Sequence, residues 1–289
     1  MNALFCFGLG YSACALARRL TREGWAVRGT STTAEGVSRI AAAGYEALQF
    51  DGAAPGAGVA GALLASTHVL VSVPPDAAGD PVLRHHRSDL SRARSANWIG
   101  YLSTIGVYGD TGGAWVDEDT PARPSSERSQ RRLEAEEAWL DLGQRTQKRV
   151  QIFRLGGIYG PGRSAFDSLR GGTARRIVKP GQVFNRVHVE DIASVLAAAI
   201  GGRGRHAVYN VTDDDPSPPQ DVVARAAELL GEPPPPEVPF ETAELSAMAR
   251  TFYAENRRVR NERIKDDLGV RLSFPSYREG LRAILEARR

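Results

Sequence analysis

Leu4-Phe5-Cys6-Phe7-Gly8-Leu9-Gly10-Tyr11-Ser12-Ala13 stands near the start of the 289-residue chain. An apolar run reaches Gly8, the chain turns through Gly10, and a helix opens with Ala13, Leu16, Ala17 and Leu20 at the i, i+3, i+4, i+7 spacing that buries one helical face. Gly24 closes that helix from just past its end, and a second strand begins at Trp25-Ala26-Val27. The order is strand, glycine turn, helix, strand, with Gly-x-Gly-x-x-Ala at the turn. Gly8 permits the tight bend, Gly10 carries no side chain to block a pyrophosphate, and small Ala13 lets helix and sheet approach closely. Phosphates would sit on the free N–H groups of Tyr11, Ser12 and Ala13, where the helix dipole favours negative charge. The bland alternative is a glycine-rich turn in an alanine-rich domain.

Working outward, the second strand ends at Arg28-Gly29-Thr30-Ser31-Thr32-Thr33, the tip that would meet an adenosine ribose. A site preferring NAD places a carboxylate there for the ribose 2′-hydroxyl. Ser31 and Thr32 stand in its place, which leans the reading towards NADP. Arg28 and Arg39 are the nearby candidates for a 2′-phosphate, and both read equally well as solvated surface arginines. A helix over 35–43 and a short strand over 46–50 lead to Asp51, which either accepts from an adenine amino group or holds a turn. Thr67–Val73 is β-branched and almost wholly apolar, as a buried parallel strand should be. Val73 and Pro74 then begin a stiff loop where the nicotinamide half of a dinucleotide would lie. His85 and His86 are adjacent on a helix, so they point different ways and make a poor metal pair.

Apolar and charged fractions of 42% and 25% are ordinary for a soluble protein, and a net charge of +3 is small for this length. No helix carries a basic face interleaved with aromatics, so nucleic acid is a poor partner. Cys6 and Cys14 belong to no ligand pattern and read as small core residues in a reducing compartment. The apolar N-terminus lacks a basic start and is broken by Gly8, Gly10 and Arg18-Arg19, so it reads as structure rather than a secretion signal. With no long uncharged apolar run, the expectation is a cytoplasmic protein with no membrane partner.

Tyr101-Leu102-Ser103-Thr104-x-x-Val107-Tyr108-Gly109 resembles the fifth-strand motif of the extended short-chain dehydrogenase/reductases, the NAD-dependent epimerase/dehydratase group acting mostly on nucleotide sugars. The resemblance continues through Glu118-Asp119-x-Pro121, Phe153-Arg154-Leu155, Tyr159-Gly160-Pro161-Gly162, Phe184-Asn185-Arg186-Val187-His188-Val189-Glu190-Asp191 and Tyr209-Asn210-Val211, in the family's order and over most of the chain. It implies a doubly wound Rossmann α/β domain over 1–160, completed by parts of 183–212, and a smaller, mostly helical C-terminal lobe over 161–289. It also implies NADP or NAD as cofactor, a small-molecule substrate and a homodimer.

One departure limits what carries over. The family's pattern Pro-x-Ser-x-Tyr-x-x-x-Lys-x-x-x-Glu reads here Pro124-Ser125-Ser126-Glu127-Arg128-Ser129-Gln130-Arg131-Arg132-Leu133-Glu134-Ala135-Glu136. Arg128 replaces the acid/base tyrosine and Arg132 the lysine. Arg132 keeps the charge and can donate to ribose hydroxyls. A guanidinium stays protonated in proteins and offers no acceptor, so Arg128 cannot relay a proton at neutral pH. Thr104 takes the place of the family's catalytic Ser/Thr, with Ser103 beside it toward the cofactor. Tyr108 is a stand-in proton donor, with Asp110 or Glu118 behind it, unless it merely packs. Arg128 and Arg132 together would favour an anionic ligand, or else they form surface pairs with glutamates of their own helix.

Farther on, Arg170, Arg175, Arg176 and Lys179 read as a basic loop over 164–182, suited to a diphosphate or simply solvated. Asp213-Asp214-Asp215 reads as a turn that caps the next helix. Further helices are expected at 191–200, near 243–250, after Asn261 and after Ser276, with a polyproline spacer at 233–236. Two functions stay open: an NAD(P)-dependent oxidoreductase or epimerase/dehydratase, and a dinucleotide-binding sensor or interaction protein without turnover.

Overall fold

A computed structural model of the chain describes residues 2–288, with the side chain of Met248 left out. The first half of the sheet is β1 (Ala3–Phe7), α1 (Tyr11–Arg22), β2 (Ala26–Ser31), α2 (Ala34–Ala42) and β3 (Glu46–Gln49). Then come α3 (Val59–Leu64), β4 (His68–Val71), α4 (Pro81–Arg92), β5 (Trp98–Thr104), a 3₁₀ turn at Ile105–Tyr108, β6 (Trp115–Val116), α5 (Glu127–Thr146) and β7 (Arg149–Leu155). Beyond these lie β8 (Gly157–Tyr159), α6 (Ala165–Arg170), β9 (Arg176–Val178), β10 (Arg186–His188), α7 (Val189–Ile200) and β11 (Val208–Val211). Last are α8 (Pro219–Leu230), β12 (Glu237–Pro239), α9 (Ala247–Ala254), β13 (Arg258–Val259), α10 (Glu262–Asp266) and α11 (Tyr277–Glu286).

Seven strands form one parallel sheet in the order β3-β2-β1-β4-β5-β7-β11, so the chain reverses direction across the sheet between β1 and β4. This is the doubly wound Rossmann arrangement, with its ligand crevice at the carboxyl ends of those two strands. β1 shows why the fold forms. Leu4 and Cys6 pack with Leu16 and Leu20 of α1 and Val195 and Leu196 of α7, while Phe5 and Phe7 pack with Leu63, Leu90 and Trp139 on the other face. A strand covered on both sides must be apolar at every position. Each such fully buried side chain contributes about 1.5–3 kcal/mol. The remaining strands make three parallel pairs, β8 with β10, β9 with β12 and β6 with β13.

Several expectations are corrected. Residues 164–182 are not a free loop: they hold α6 and β9, with Arg176 paired to Glu237 and Lys179 donating to the Tyr253 carbonyl. The helix expected near 243–250 lies at Ala247–Ala254, capped by Ser246. Asn261 uses its side chain to reach Thr212 and Asp214 instead of capping α10. The three aspartates cap nothing either: Asp214 pairs with Lys265, Asp215 pairs with Arg278, and Asp213 is buried. Among the described residues no helix is long and apolar enough to cross a membrane.

Candidate dinucleotide site

The crevice is built from the glycine turn upward. Gly8 has φ +80°, and a Cβ there would come 2.7 Å from the Ser72 Oγ at the end of β4, so only glycine suits the position. Ser72 in turn donates to the Gly8 carbonyl at 2.5 Å, and Val73 lies against Gly8, closing the floor between β1 and β4. Gly10 has φ −93°, and a Cβ added there would meet nothing within 4 Å: the space above it is open. The first helical bond of α1 runs from the Cys14 N–H to the Gly10 carbonyl, so the preceding N–H groups of Tyr11, Ser12 and Ala13 belong to the unsatisfied first turn. Open space over a helix N-terminus lined by donors fits a pyrophosphate. Tyr11 fences one side, donating from its hydroxyl to the Pro161 carbonyl at 3.0 Å under the Arg163 guanidinium.

At the β2 tip, Thr33 caps α2 by accepting from the Gly36 N–H, and Ser31 and Thr32 lie beside that cap. Arg28 is removed as a phosphate ligand, because it sits three residues below the tip and is paired with Glu46 of β3. Arg39 is exposed on α2. Glu35, which the sequence analysis did not weigh, brings a carboxylate into the first turn of α2, held below the usual range by a backbone N–H and the Thr33 hydroxyl. Asp51 accepts from the Ala53 N–H at 2.9 Å, so it holds its own turn. Pro74 is exposed just past β4.

On the nicotinamide side the structure separates the candidates. Thr104 ends β5 and accepts from the Gly106 N–H at 3.1 Å, while its hydroxyl proton takes no acceptor among the described residues. Arg132 of α5 donates from Nη1 to the Leu102 carbonyl at 2.9 Å and to the Tyr101 hydroxyl at 3.1 Å, which aims it at the end of β5. Among the described residues its Nε and Nη2 take no acceptor. Arg128, one turn earlier, is exposed and makes no hydrogen bond or ion pair among the described residues.

Ser103 and Tyr108 are redirected to structure. Ser103 is buried and donates to Glu136. Tyr108, 2% exposed, donates to Asn210 at 2.8 Å and accepts from Arg154 at 3.0 Å, and burial raises its pKa. A sealed hydroxyl with both roles filled has no path to a substrate. Neither supporting acid serves it: Asp110 accepts from Gly112 and Asn256, and Glu118 accepts from the Asn210 N–H. The position missed in sequence is Ser129. Its buried Oγ accepts from Ser126 at 3.0 Å, and it faces the same point beside Gly106 that Thr104 does. Its only signal was its place next to Arg128.

His86 is buried between Asp89 and the Gly56 N–H, while His85 meets the Gly52 carbonyl. Among the described residues no group of three or more His, Cys, Asp or Glu is placed to hold a metal.

The fold matches solved structures. A conserved protein of unknown function from Silicibacter pomeroyi is 49% identical over 100% of this chain and 99% of its own, with a TM-score of 0.90. A candidate NAD-dependent epimerase/dehydratase of Methylobacillus flagellatus is 26% identical, covering 99% of this chain and 98% of its own, with a TM-score of 0.71. The Thermus thermophilus UDP-glucose 4-epimerase, solved with NAD, shares the fold at 20% identity and a TM-score of 0.74, over 99% and 98% of the two chains. Among curated proteins, YeeZ of Escherichia coli K12 is 29% identical over 81% of this chain and 86% of its own. A Streptomyces 3-diazoavenalumate denitrifying reductase is 29% identical over 58% of this chain and 55% of its own. No family model matches the chain. NAD-dependent epimerases and dehydratases thus stand among the solved structures whose fold this chain shares.

Proposed function

We propose that this chain is an NAD(P)-dependent oxidoreductase or epimerase/dehydratase, with NADP preferred, acting on a small anionic molecule. The observation that carries the reading is the glycine turn at the sheet's reversal point, with open space over Gly10 and the unsatisfied first turn of α1 beneath it. Gly8, Gly10, Tyr11, Ser12 and Ala13 would hold the pyrophosphate, Ser31 and Thr32 the adenosine ribose, and Val73 and Pro74 the wall of the nicotinamide end. The bound nicotinamide would supply or accept the hydride. Arg132 would donate to ribose hydroxyls through Nε and Nη2, and Thr104 would donate its free proton to a substrate oxygen. Arg128, exposed near the start of α5 and unpartnered among the described residues, would pair a substrate carboxylate or phosphate. A nucleotide sugar is one such substrate, supported by the related epimerases. Reduction is supported by the Streptomyces relative.

One observation favours a second reading. With Tyr108 sealed and Arg128 unable to relay a proton, no free tyrosine stands at the tyrosine position of that pattern among the described residues, as suits a sensor that binds dinucleotide without turnover. Fluorescence titration with NADPH and NADH tests the common ground: micromolar NADPH binding with weaker NADH supports the NADP reading, and no binding of either removes both functions. Arg128→Tyr then separates them. Hydride transfer that appears only in that variant identifies a binding protein, and turnover by the unaltered protein identifies an enzyme.

A further inference from the structure

Beyond the Tyr11 side of the crevice, the β8–β10 pair and the starts of α6, α8 and α11 line a cavity of about 410 Å³. Most of its wall is apolar, from Val222, Val223, Leu281 and the rings of Tyr159 and Tyr277. Among its polar lining residues is Arg186. Its Nη1 is saturated by the Phe184 carbonyl at 3.0 Å, the Ser217 carbonyl at 3.1 Å and the Ser217 hydroxyl at 2.8 Å. Its Nε and Nη2 take no acceptor, and it has no ion-pair partner among the described residues.

Neighbouring carboxylates do not repair this. Asp167, which lines the cavity, is taken by Ser164 and Arg288. Asp215 is paired with Arg278. Asp213, whose N–H donates to the Arg186 carbonyl at 2.6 Å, is pushed up by burial while the Arg186 charge pulls it down, and its carboxyl makes no hydrogen bond to the guanidinium among the described residues. A partly buried guanidinium whose Nε and Nη2 bond no carboxylate is costly, and an anion from outside would relieve it. Arg163 also lines the cavity; it is exposed, rests over the Tyr11 ring and carries no ion-pair partner.

We propose that this cavity binds a small organic carboxylate on an aromatic or branched apolar body, paired through the free N–H edge of Arg186 and closed in by Arg163. The volume falls in the range of small-molecule sites, the two tyrosine rings offer stacking surfaces, and a guanidinium edge matches a carboxylate in two-pronged fashion. The site shares no lining residue with the glycine turn.

Isothermal titration with 3-phenylpropionate, and with neutral 3-phenylpropanamide as control, tests this. The expected result is saturable one-to-one binding of the acid, with the amide at least about tenfold weaker. Val223→Trp, which fills the cavity from α8, should abolish binding while keeping the wild-type melting temperature. Arg186→Lys, which keeps the charge but loses the fork, should weaken binding about tenfold. If Arg186→Lys does not fold, Val223→Trp carries the test alone. Absence of saturable binding up to millimolar acid, equal binding of the amide, or undiminished binding to folded Val223→Trp overturns the proposal.

Discussion

Arg154 of β7 and Glu136 of α5 form a buried ion pair beneath the end of β5, Nη2 to Oε2 at 2.8 Å and Nε to the same oxygen at 3.1 Å. Glu136 also accepts from Ser103, and Arg154 donates to Tyr108, so one pair fixes α5, β5 and the 3₁₀ turn together. The family frame keeps Glu136 while its tyrosine and lysine positions have changed, which fits a glutamate that serves α5's position rather than the chemistry. Removing one partner of such a pair strands the other charge. Glu136→Gln should therefore lose about 3–5 kcal/mol of stability in urea unfolding. A loss under about 1 kcal/mol would show that the pair does not set the position of α5.

The two glycines of the turn should respond in opposite ways. Gly8 needs positive φ and has Ser72 in the way, so Gly8→Ala should cost about 1–3 kcal/mol of stability. Gly10 has ordinary φ and open space, so Gly10→Ala should fold within about 0.5 kcal/mol of wild type. Its methyl group would occupy the phosphate cradle, and NADPH affinity should fall about tenfold or more. Wild-type affinity in Gly10→Ala would move the pyrophosphate elsewhere.

The turn and the sheet were legible in the sequence because their signals are local. Glycine spacing, the 3.6 period of α1 and the unbroken apolar run of β1 each lie within about a dozen residues. The candidate site was legible only where it is backbone. The structural partners of Ser103 and Tyr108 were not legible because they lie 33, 46 and 102 residues away, in Glu136, Arg154 and Asn210. Arg28 was offered to a phosphate because its partner Glu46 is fixed by strand register, which the sequence does not display. β6, β8, β9, β10, β12 and β13 are two or three residues long, too short to carry a period.

Tyr108→Phe checks the structural role of that hydroxyl directly. It leaves the Asn210 side-chain oxygen and an Arg154 N–H without their partner in a buried setting, which should cost about 1–3 kcal/mol. NADPH affinity should stay within about twofold, since the hydroxyl does not face the crevice. Any turnover of the unaltered protein should survive as well. A variant of wild-type stability that has lost turnover would return the tyrosine to the chemistry.

Asp213 and His188 give the fold opposing pH responses. Burial pushes Asp213 up to about 8 from an ordinary 3.8, so between these values the folded state keeps a proton that the unfolded state releases. Its contribution is fully present below pH 3.8 and is lost as pH rises towards 8, by at most about 1.4 kcal/mol per pH unit. Burial pushes His188 down to about 4 from 6.5, so between those values the unfolded state takes up a proton that the folded state refuses. Its contribution is lost as pH falls through that window. The two slopes oppose one another from about pH 4 to 6.5, and the Asp213 slope acts alone from 6.5 to 8. Asp80, Glu118 and Asp191 are raised by burial too, but they are common to wild type and variant and cancel in the difference. Asp213→Asn should accordingly gain stability over wild type progressively from pH 4 to 8, and His188→Asn should gain only below about pH 6.5. Urea unfolding of the three proteins at half-unit pH steps reads this out. A difference between Asp213→Asn and wild type that does not grow between pH 5 and 7.5 would place the buried aspartate in its charged form, paired with Arg186.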